Sequence, residues 1–365
     1  MKIRTMPNLY VKIVATIVLL EVSIYSFASL PDSVRSNVED FDYLTRFTEN
    51  NLATYPYIIK DYSKEYVRLK KNIRKHLLKG QDIESATCDY VFWFFSQFDT
   101  HFIVACHKFW DQYDLKVHVN YRQLMNYNPQ PVAQMIDSMT YLVRVPSCSG
   151  GKPSYGWVDS AAIAYRKSNC PNLIIDVRGN TGGNDGIWAP FFDMLADHKP
   201  VRPWTILFRN TKKNIETIAT YGMNKLVERA QKTNSLFVPM DNEDDEVILP
   251  KSYPVKIAVI VDSRTASSAE TLVNFIRDYC SRGKIYGREN TSGANMTGNV
   301  APFKLPHSGI TCYYPMCVDN VFSQQVRLRK LGISPDVKIT LPLPSSLQEN
   351  VDSWTLWVAN NLEKH

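Results

Sequence analysis

Two short stretches of this sequence carry residues suited to acyl chemistry. The apolar run Ile257-Ala-Val-Ile-Val261 leads into Thr265-Ala-Ser-Ser-Ala-Glu270, where a helix is expected to begin near Thr265 or Ala266. Ser267 then lies at a helix N-terminus, where unpaired amides and the positive end of the helix dipole meet. A serine so placed can attack a carbonyl while the Ser268 amide holds the developing oxyanion. Ser267-x-x-Glu270 also fits a capping box, in which the serine only satisfies an amide of the first turn. The second stretch, Asn172-Leu-Ile-Ile-Asp-Val-Arg-Gly-Asn-Thr-Gly-Gly183, runs from a hydrophobic strand into a glycine-rich turn. Gly179, Gly182 and Gly183 allow the close backbone approach that an amide donor to an oxyanion needs, although a loop that merely turns the chain has the same composition. A phosphate cradle fits poorly, because the Gly-x-Gly-x-x-Gly order and a following Gly-Lys-Ser/Thr are both missing.

A nucleophilic serine needs a base. His101, in Gln97-Phe-Asp-Thr-His-Phe102, has Asp99 two residues before it, so an imidazole with an orienting acid is sterically reasonable. A packed, hydrogen-bonded histidine is the plain alternative, and His76, His107, His118, His198 and His307 compete for the role. No His-Glu-x-x-His occurs, and no metal or organic cofactor is expected. The seven cysteines, Cys88, Cys106, Cys148, Cys170, Cys280, Cys312 and Cys317, are an odd number without a Cys-x-x-Cys module, which argues against structural zinc. Cys312 and Cys317 could bridge across a turn; buried free thiols fit equally well.

The elements that must position these residues divide the chain. At 365 residues, 44% hydrophobic and 21% charged, it is long enough for a large core and has ordinary globular composition. Residues 1–28 read as a secretory signal: Lys2, Arg4 and Lys12 precede an apolar run from Ile13 to Leu20, and Ser26-Phe27-Ala28 offers a cleavage site. Glu21 interrupts the run short of the roughly 18–20 residues a membrane span requires, so no stable span is expected after cleavage, and the protein is expected to be exported, periplasmic or extracellular. Without those three cations and one anion the net charge falls from +6 to +4, too mild to imply nucleic acid. Residues 30–110 form an expected helical N-terminal domain, with a second helix from Ser63 to Gly80 and a third capped by Asp82 and running to the region of Gln97. Beyond Tyr141, the compact strands Leu142–Val145, Leu173–Val177 and Ile257–Val261 alternate with helices at Ser160–Lys167 and Ala266–Cys280, which predicts an α/β core over 135–345. A C-terminal helical segment takes 346–365. The stretches Gly150–Tyr155 and Asn242–Glu246 are expected loops.

Six motifs stand in order: Asp99-Thr-His101, Tyr141-Leu-Val-Arg-Val-Pro146, Asp176-Val-Arg-Gly-Asn-Thr-Gly-Gly183, Thr265-Ala-Ser-Ser-Ala-Glu270, Gly287-Arg-Glu-Asn-Thr-Ser-Gly293 and Gly332-Ile-Ser-Pro-Asp336. On these, from about Phe41 to Asp336, the chain resembles the C-terminal processing (tail-specific) serine peptidase family, and especially its tricorn core protease-like branch. The resemblance implies a spiral crotonase/ClpP-like α/β core, Ser267 as nucleophile, and Gly182 or Gly183 with Ser268 as the oxyanion hole. It implies hydrolysis of peptide or unfolded protein substrates through an acyl-enzyme. The bacterial processing proteases use a lysine, within Gly-Lys-Gly, as base; here the stretch reads Thr291-Ser-Gly-Ala-Asn-Met-Thr-Gly298. The tricorn-like branch, whose base is a histidine from the N-terminal half, is the better template, with His101 in that role. Its accessory glutamate before Gly-x-x-Pro-Asp is replaced by Arg329 and Lys330. Those two departures leave open a catalytically impaired peptide-binding or scaffolding protein of the same fold. Only 39 residues separate His101 from Tyr141, roughly half of what an inserted PDZ module needs.

Overall fold

The computed structural model describes residues 30–109, 129–150, 156–199, 205–240, 253–328, 332–344, 347 and 350–364. The leader expected over 1–28, His118, most of the Gly150–Tyr155 loop, the Asn242–Glu246 loop and the Arg329-Lys330 pair lie outside them.

Two sheets organise the chain. The first has six strands in the order β11 (Val337–Lys338), β8 (Gly283–Gly287), β7 (Lys256–Ile260), β4 (Asn172–Asp176), β3 (Thr140–Arg144) and β2 (Val132–Met135). All neighbours are parallel except β2 and β3. Every residue of β3 and β4 is buried, because both faces of the sheet are covered. Tyr141, Val143, Leu173, Ile175, Ile257 and Val259 face helices α4 (Trp157–Ser168), α5 (Ala189–Leu195) and α8 (Ser268–Tyr279). The alternate residues Leu142, Ile174, Ala258 and Ile260 face Trp354, Val358 and Leu362 of helix α10 (Ser353–Lys364). The unbroken apolar runs in the sequence are thus explained by a two-residue period with an apolar neighbour on each side.

The second sheet is antiparallel, in the order β1 (Ile103–Ala105), β10 (Thr311–Asp319), β5 (Ile206–Arg209) and β6 (Phe237–Pro239), with β9 (Thr297–Lys304) also paired to β10. Helices α1 (Asp32–Asn51), α2 (Tyr55–Leu77) and α3 (Ile83–Thr87) share one core with it: Val38, Phe41, Leu44 and Tyr90 cluster with Phe208, Tyr314 and Val318. Phe47 stacks on Phe303 with ring centroids 3.7 Å apart. The chain is therefore α/β with a helical N-terminal region, as the pattern of elements predicted, and that region's core is completed by strands from the C-terminal half. No helix among the described residues is long and apolar enough to cross a membrane.

Three local expectations need correction. The second helix starts at Tyr55, with Pro56 in its first turn, and breaks at Tyr62 (φ −121°, ψ 26°), one residue before the expected start at Ser63. Asp82 does cap α3, accepting from the Ser85 amide at 2.8 Å, but the helix ends at Thr87. A π turn over Cys88–Phe92 and a 3-10 turn over Phe95–Gln97 follow. Tyr90, Val91, Phe92, Phe94 and Phe95 are all buried, more than one face of a regular helix can hide, and the changes of winding turn each inward. Cys312 and Cys317 lie on one strand five positions apart, so their side chains point to opposite faces and no turn brings them together. All seven cysteines are buried free thiols.

Candidate active site

β4 and β7 are adjacent and parallel, with Asp176 beside Ile260, so both chemistry-bearing turns emerge at the same end of the sheet. Asp262 fastens them together: Oδ1 accepts from the Arg264 and Thr265 amides, both at 3.0 Å, and Oδ2 accepts from the Gly179 amide at 2.9 Å. Thr265 Oγ1 donates to the Val177 carbonyl at 3.0 Å, and the Ala266 amide donates to the Asn180 carbonyl at 2.9 Å. The glycine-rich turn and the serine turn form one hydrogen-bonded unit.

Ser267 sits at the top of that unit with φ 53° and ψ −123°. A positive φ in a residue with a Cβ costs on the order of 1–3 kcal/mol and persists only where the surroundings impose it. The capping box with Glu270 is present, and the Ser267 amide donates to Glu270 Oε2 at 3.1 Å. An ordinary N-cap residue adopts β-region dihedrals, which Ser267 does not, so capping does not account for its backbone. Gly182 lies directly against it. A Cβ on Gly182 would stand 2.6 Å from Ser267 Cβ and 2.9 Å from the Ala266 carbonyl oxygen, so only glycine fits.

The nearby amides are not equivalent. The Gly182 amide donates to Asn180 Oδ1 at 2.8 Å and is already committed. Cys148 hydrogen-bonds on either side of Gly183, its amide to the Gly182 carbonyl and its carbonyl to the Asn184 amide, which leaves the Gly183 amide outside that ladder. Neither the Gly183 amide nor the Ser268 amide donates to any group among the described residues. Ser268 Oγ donates to the Gly183 carbonyl at 2.9 Å and ties these two residues together.

His101 and Asp99 are joined through a residue that sequence reasoning missed. His101 Nδ1 lies 2.7 Å from Thr297 Oγ1, and Thr297 Oγ1 donates to Asp99 Oδ1 at 2.8 Å. The direct Nδ1 to Oδ1 distance is 3.9 Å, beyond a hydrogen bond. Asp99 Oδ1 also accepts from the His101 amide at 2.9 Å. A hydroxyl has one proton, and Thr297 gives it to Asp99, so it must accept from His101 Nδ1–H; Nε2 then carries the free lone pair. Burial lowers the His101 pKa below its ordinary value, against the pull of the Asp99 and Asp185 carboxylates, and burial raises that of Asp99. Thr297 stands in the lysine-free stretch Thr291–Gly298.

Glu270 links the two halves. Fully buried, it accepts from Thr291 Oγ1, from the Gly293 amide at 2.9 Å, from the Ala294 amide at 2.8 Å and from Ser267. One carboxyl thus joins the serine turn to the segment that runs into Thr297. Burial pushes its pKa up to about 7, against the donors that pull it down. His198 and His307 pair with Asp197 and Glu39, while His76 and His107 are exposed.

Two motif residues belong elsewhere. Asp176 and Arg178 lie in a buried cluster with Arg144 and Asp352, with Arg178 Nη2 2.7 Å from both Asp176 Oδ2 and Asp352 Oδ2, and Arg144 Nε 2.7 Å from Asp176 Oδ2. Arg178 also lies over the Trp354 ring. The cluster pins β3 and β4 to α10. Burial opposes ionisation of Asp176, but the two guanidiniums hold it well below the usual carboxylate range.

A family model described as Peptidase family S41 matches residues 140–339. No curated protein matches the sequence. Among solved structures, a lipoprotein from Streptococcus agalactiae is similar at 17% identity, covering 92% of this chain and 97% of its own, with a TM-score of 0.47. Mature CPAF complexed with lactacystin is 16% identical over 65% of this chain and 58% of that one, with a TM-score of 0.45. The photosystem II D1 C-terminal processing protease is 20% identical over 56% of this chain and 44% of that one, with a TM-score of 0.35.

Proposed function

Because the chain belongs to peptidase family S41 and is a serine-type peptidase, we propose that Ser267 is its nucleophile and His101 its general base. His101 Nε2 takes the Ser267 Oγ proton as the oxygen attacks the peptide carbonyl carbon. The imidazolium that forms is stabilised through Thr297 by Asp99, and then gives the proton to the departing amine. An acyl-enzyme on Ser267 remains, and a water activated by His101 releases it. The oxyanion role falls to the Gly183 and Ser268 amides, since that of Gly182 is occupied; losing one such donor commonly costs about 3–4 kcal/mol of transition-state stabilisation. The substrates are peptides or unfolded proteins cut by an exported, periplasmic or extracellular enzyme.

The observation that supports this reading most is the relay from His101 through Thr297 to Asp99, because it supplies a fixed tautomer where the lysine of the bacterial processing enzymes is missing. The purified chain should hydrolyse unstructured peptides and react at Ser267 with a fluorophosphonate probe. Ser267→Ala should abolish both, and His101→Ala should slow both by about 10²-fold or more. A folded wild-type chain that neither cuts nor labels would instead be a binding protein of this fold.

A further inference from the structure

We infer that Cys88 and Cys106 are a dithiol pair that closes to a disulfide around the segment carrying Asp99 and His101. Their sulfurs lie 4.0 Å apart in the core. Four of the other five thiols are engaged differently: Cys148 accepts from Asn180 Nδ2, Cys170 and Cys280 donate to the carbonyls of Asp137 and Leu195, and Cys317 contacts Met240 Sδ, while the fifth, Cys312, lies opposite Val104 on the strand beside β1. Cys88 opens the π turn, and Cys106 directly follows β1. The regular structure between them is short: that five-residue turn, a three-residue 3-10 turn and a three-residue strand. A covalent tie at its two ends restricts the one stretch that must deliver both Asp99 and His101, since closing a loop removes freedom from its open states.

The two sulfurs have different roles. Cys106 keeps 7% of its surface exposed and Cys88 only 1%, so an incoming reagent meets Cys106 first. Either S–H can donate across the 4.0 Å contact, and with Cys88 as the donor the bond holds Cys106 below the ordinary thiol range and pushes Cys88 up. The Cys106 thiolate attacks one sulfur of a small-molecule disulfide, whose S–S bond breaks and releases one thiolate. Cys88 then loses its proton and attacks the mixed disulfide at Cys106, expelling the second thiol. Two electrons pass from the cysteine pair to the reagent, giving one protein disulfide and two small thiols. The sulfurs must approach to about 2.05 Å, a movement of roughly 2 Å by the two side chains.

Oxidised glutathione tests this on the full chain. After incubation, denaturation, alkylation and digestion without reductant, mass spectrometry should find a Cys88–Cys106 linked peptide and a chain about 2 Da lighter, two alkyl groups short. Cys88→Ser should instead stop at one glutathione on Cys106, and reductant should reverse both products. Alkylation of both residues after oxidant treatment, or linkage of either to a different cysteine, overturns the assignment. Its effect on the site rests on the function proposed above and is read separately: the oxidised form should keep fluorophosphonate labelling of Ser267 at a urea concentration where the reduced form has lost it. Labelling in neither form counts against the peptidase mechanism, while the linked peptide alone decides the disulfide.

Discussion

His101 Nδ1 and Thr297 Oγ1 lie 2.7 Å apart although 196 positions separate them in sequence. The hydroxyl occupies the space where a carboxylate would touch the ring directly, and passes the interaction to Asp99. Thr297→Val keeps the shape and removes the acceptor for Nδ1–H, so the ring is free to present the wrong nitrogen. We expect kcat/KM to fall by about 10²-fold with KM little changed, and Thr297→Ser to restore most of the activity. Steady-state kinetics on one peptide substrate decides this; a valine variant as active as wild type removes Thr297 from the mechanism.

As the proposed base, His101 must be neutral to accept a proton. Burial lowers the His101 pKa below 6.5, so kcat/KM should rise with pH to a midpoint below 6.5 and then level off. Asp99 acts in the opposite direction, since its negative charge favours the imidazolium. Asp99→Asn should therefore move the midpoint further down as well as reduce the plateau. The pH profiles of the two proteins give the comparison, and an upward shift would contradict the assigned neighbours.

Gly182 tests the steric side of the site. A methyl group there meets Ser267 Cβ at 2.6 Å and the Ser268 amide nitrogen at 3.0 Å, in a backbone with φ +95°. Gly182→Ala should thus displace Ser267 and abolish fluorophosphonate labelling. Gly222→Ala is the control, because φ there is +75° but nothing lies within 4 Å of an added Cβ. That variant should label normally despite a strain of roughly 1–2 kcal/mol. Equal labelling of both alanine variants would mean that Gly182 does not shape the nucleophile's turn.

How much of this was legible in the sequence depends on the range of the interactions. The apolar runs Leu173–Val177 and Ile257–Val261 announced buried parallel strands, because a sheet covered on both faces needs no polar alternation. The turns that follow them were marked by glycines and by Ser267, residues whose local chemistry is visible in a few consecutive letters. What failed to show was anything decided by contacts across the chain. Asn180 takes the Gly182 amide and leaves that of Gly183, a choice that depends on side-chain direction. Thr297 meets His101 only because β9 pairs with β10, whose other neighbours include β1, the strand that starts two residues after His101. Asp176 and Arg178 share a motif with the glycines, yet they belong to a cluster with Asp352, 174 positions beyond Arg178.

That buried cluster makes its own prediction. Asp352→Ala leaves Arg144 and Arg178 facing the single carboxylate of Asp176 in a site without solvent. Breaking a buried ion pair by removing one partner typically costs about 3–5 kcal/mol. Chemical denaturation should show a loss of that order, while the protein that remains folded should still label at Ser267. A stable variant that fails to label would move the cluster from support into the chemistry.

Glu270 makes stability depend on pH in the direction opposite to an ordinary ion-paired carboxylate. Its folded pKa of about 7 lies above the ordinary glutamate value of 4.5, so the folded state holds the proton more tightly than the unfolded chain does. The stabilisation this gives is fully present below pH 4.5 and is lost as pH rises through about 7. The difference corresponds to about 3 kcal/mol, and Glu270 is fully buried, so solvent does not screen it. Glu270→Gln cannot titrate and should lack that slope, whatever its absolute stability once an amide nitrogen faces the donors of Ser267, Gly293 and Ala294. Urea unfolding of both proteins at several pH values between 4.5 and about 8 measures the difference. Parallel curves would show that Glu270 stays ionised throughout, with its four donors outweighing its burial.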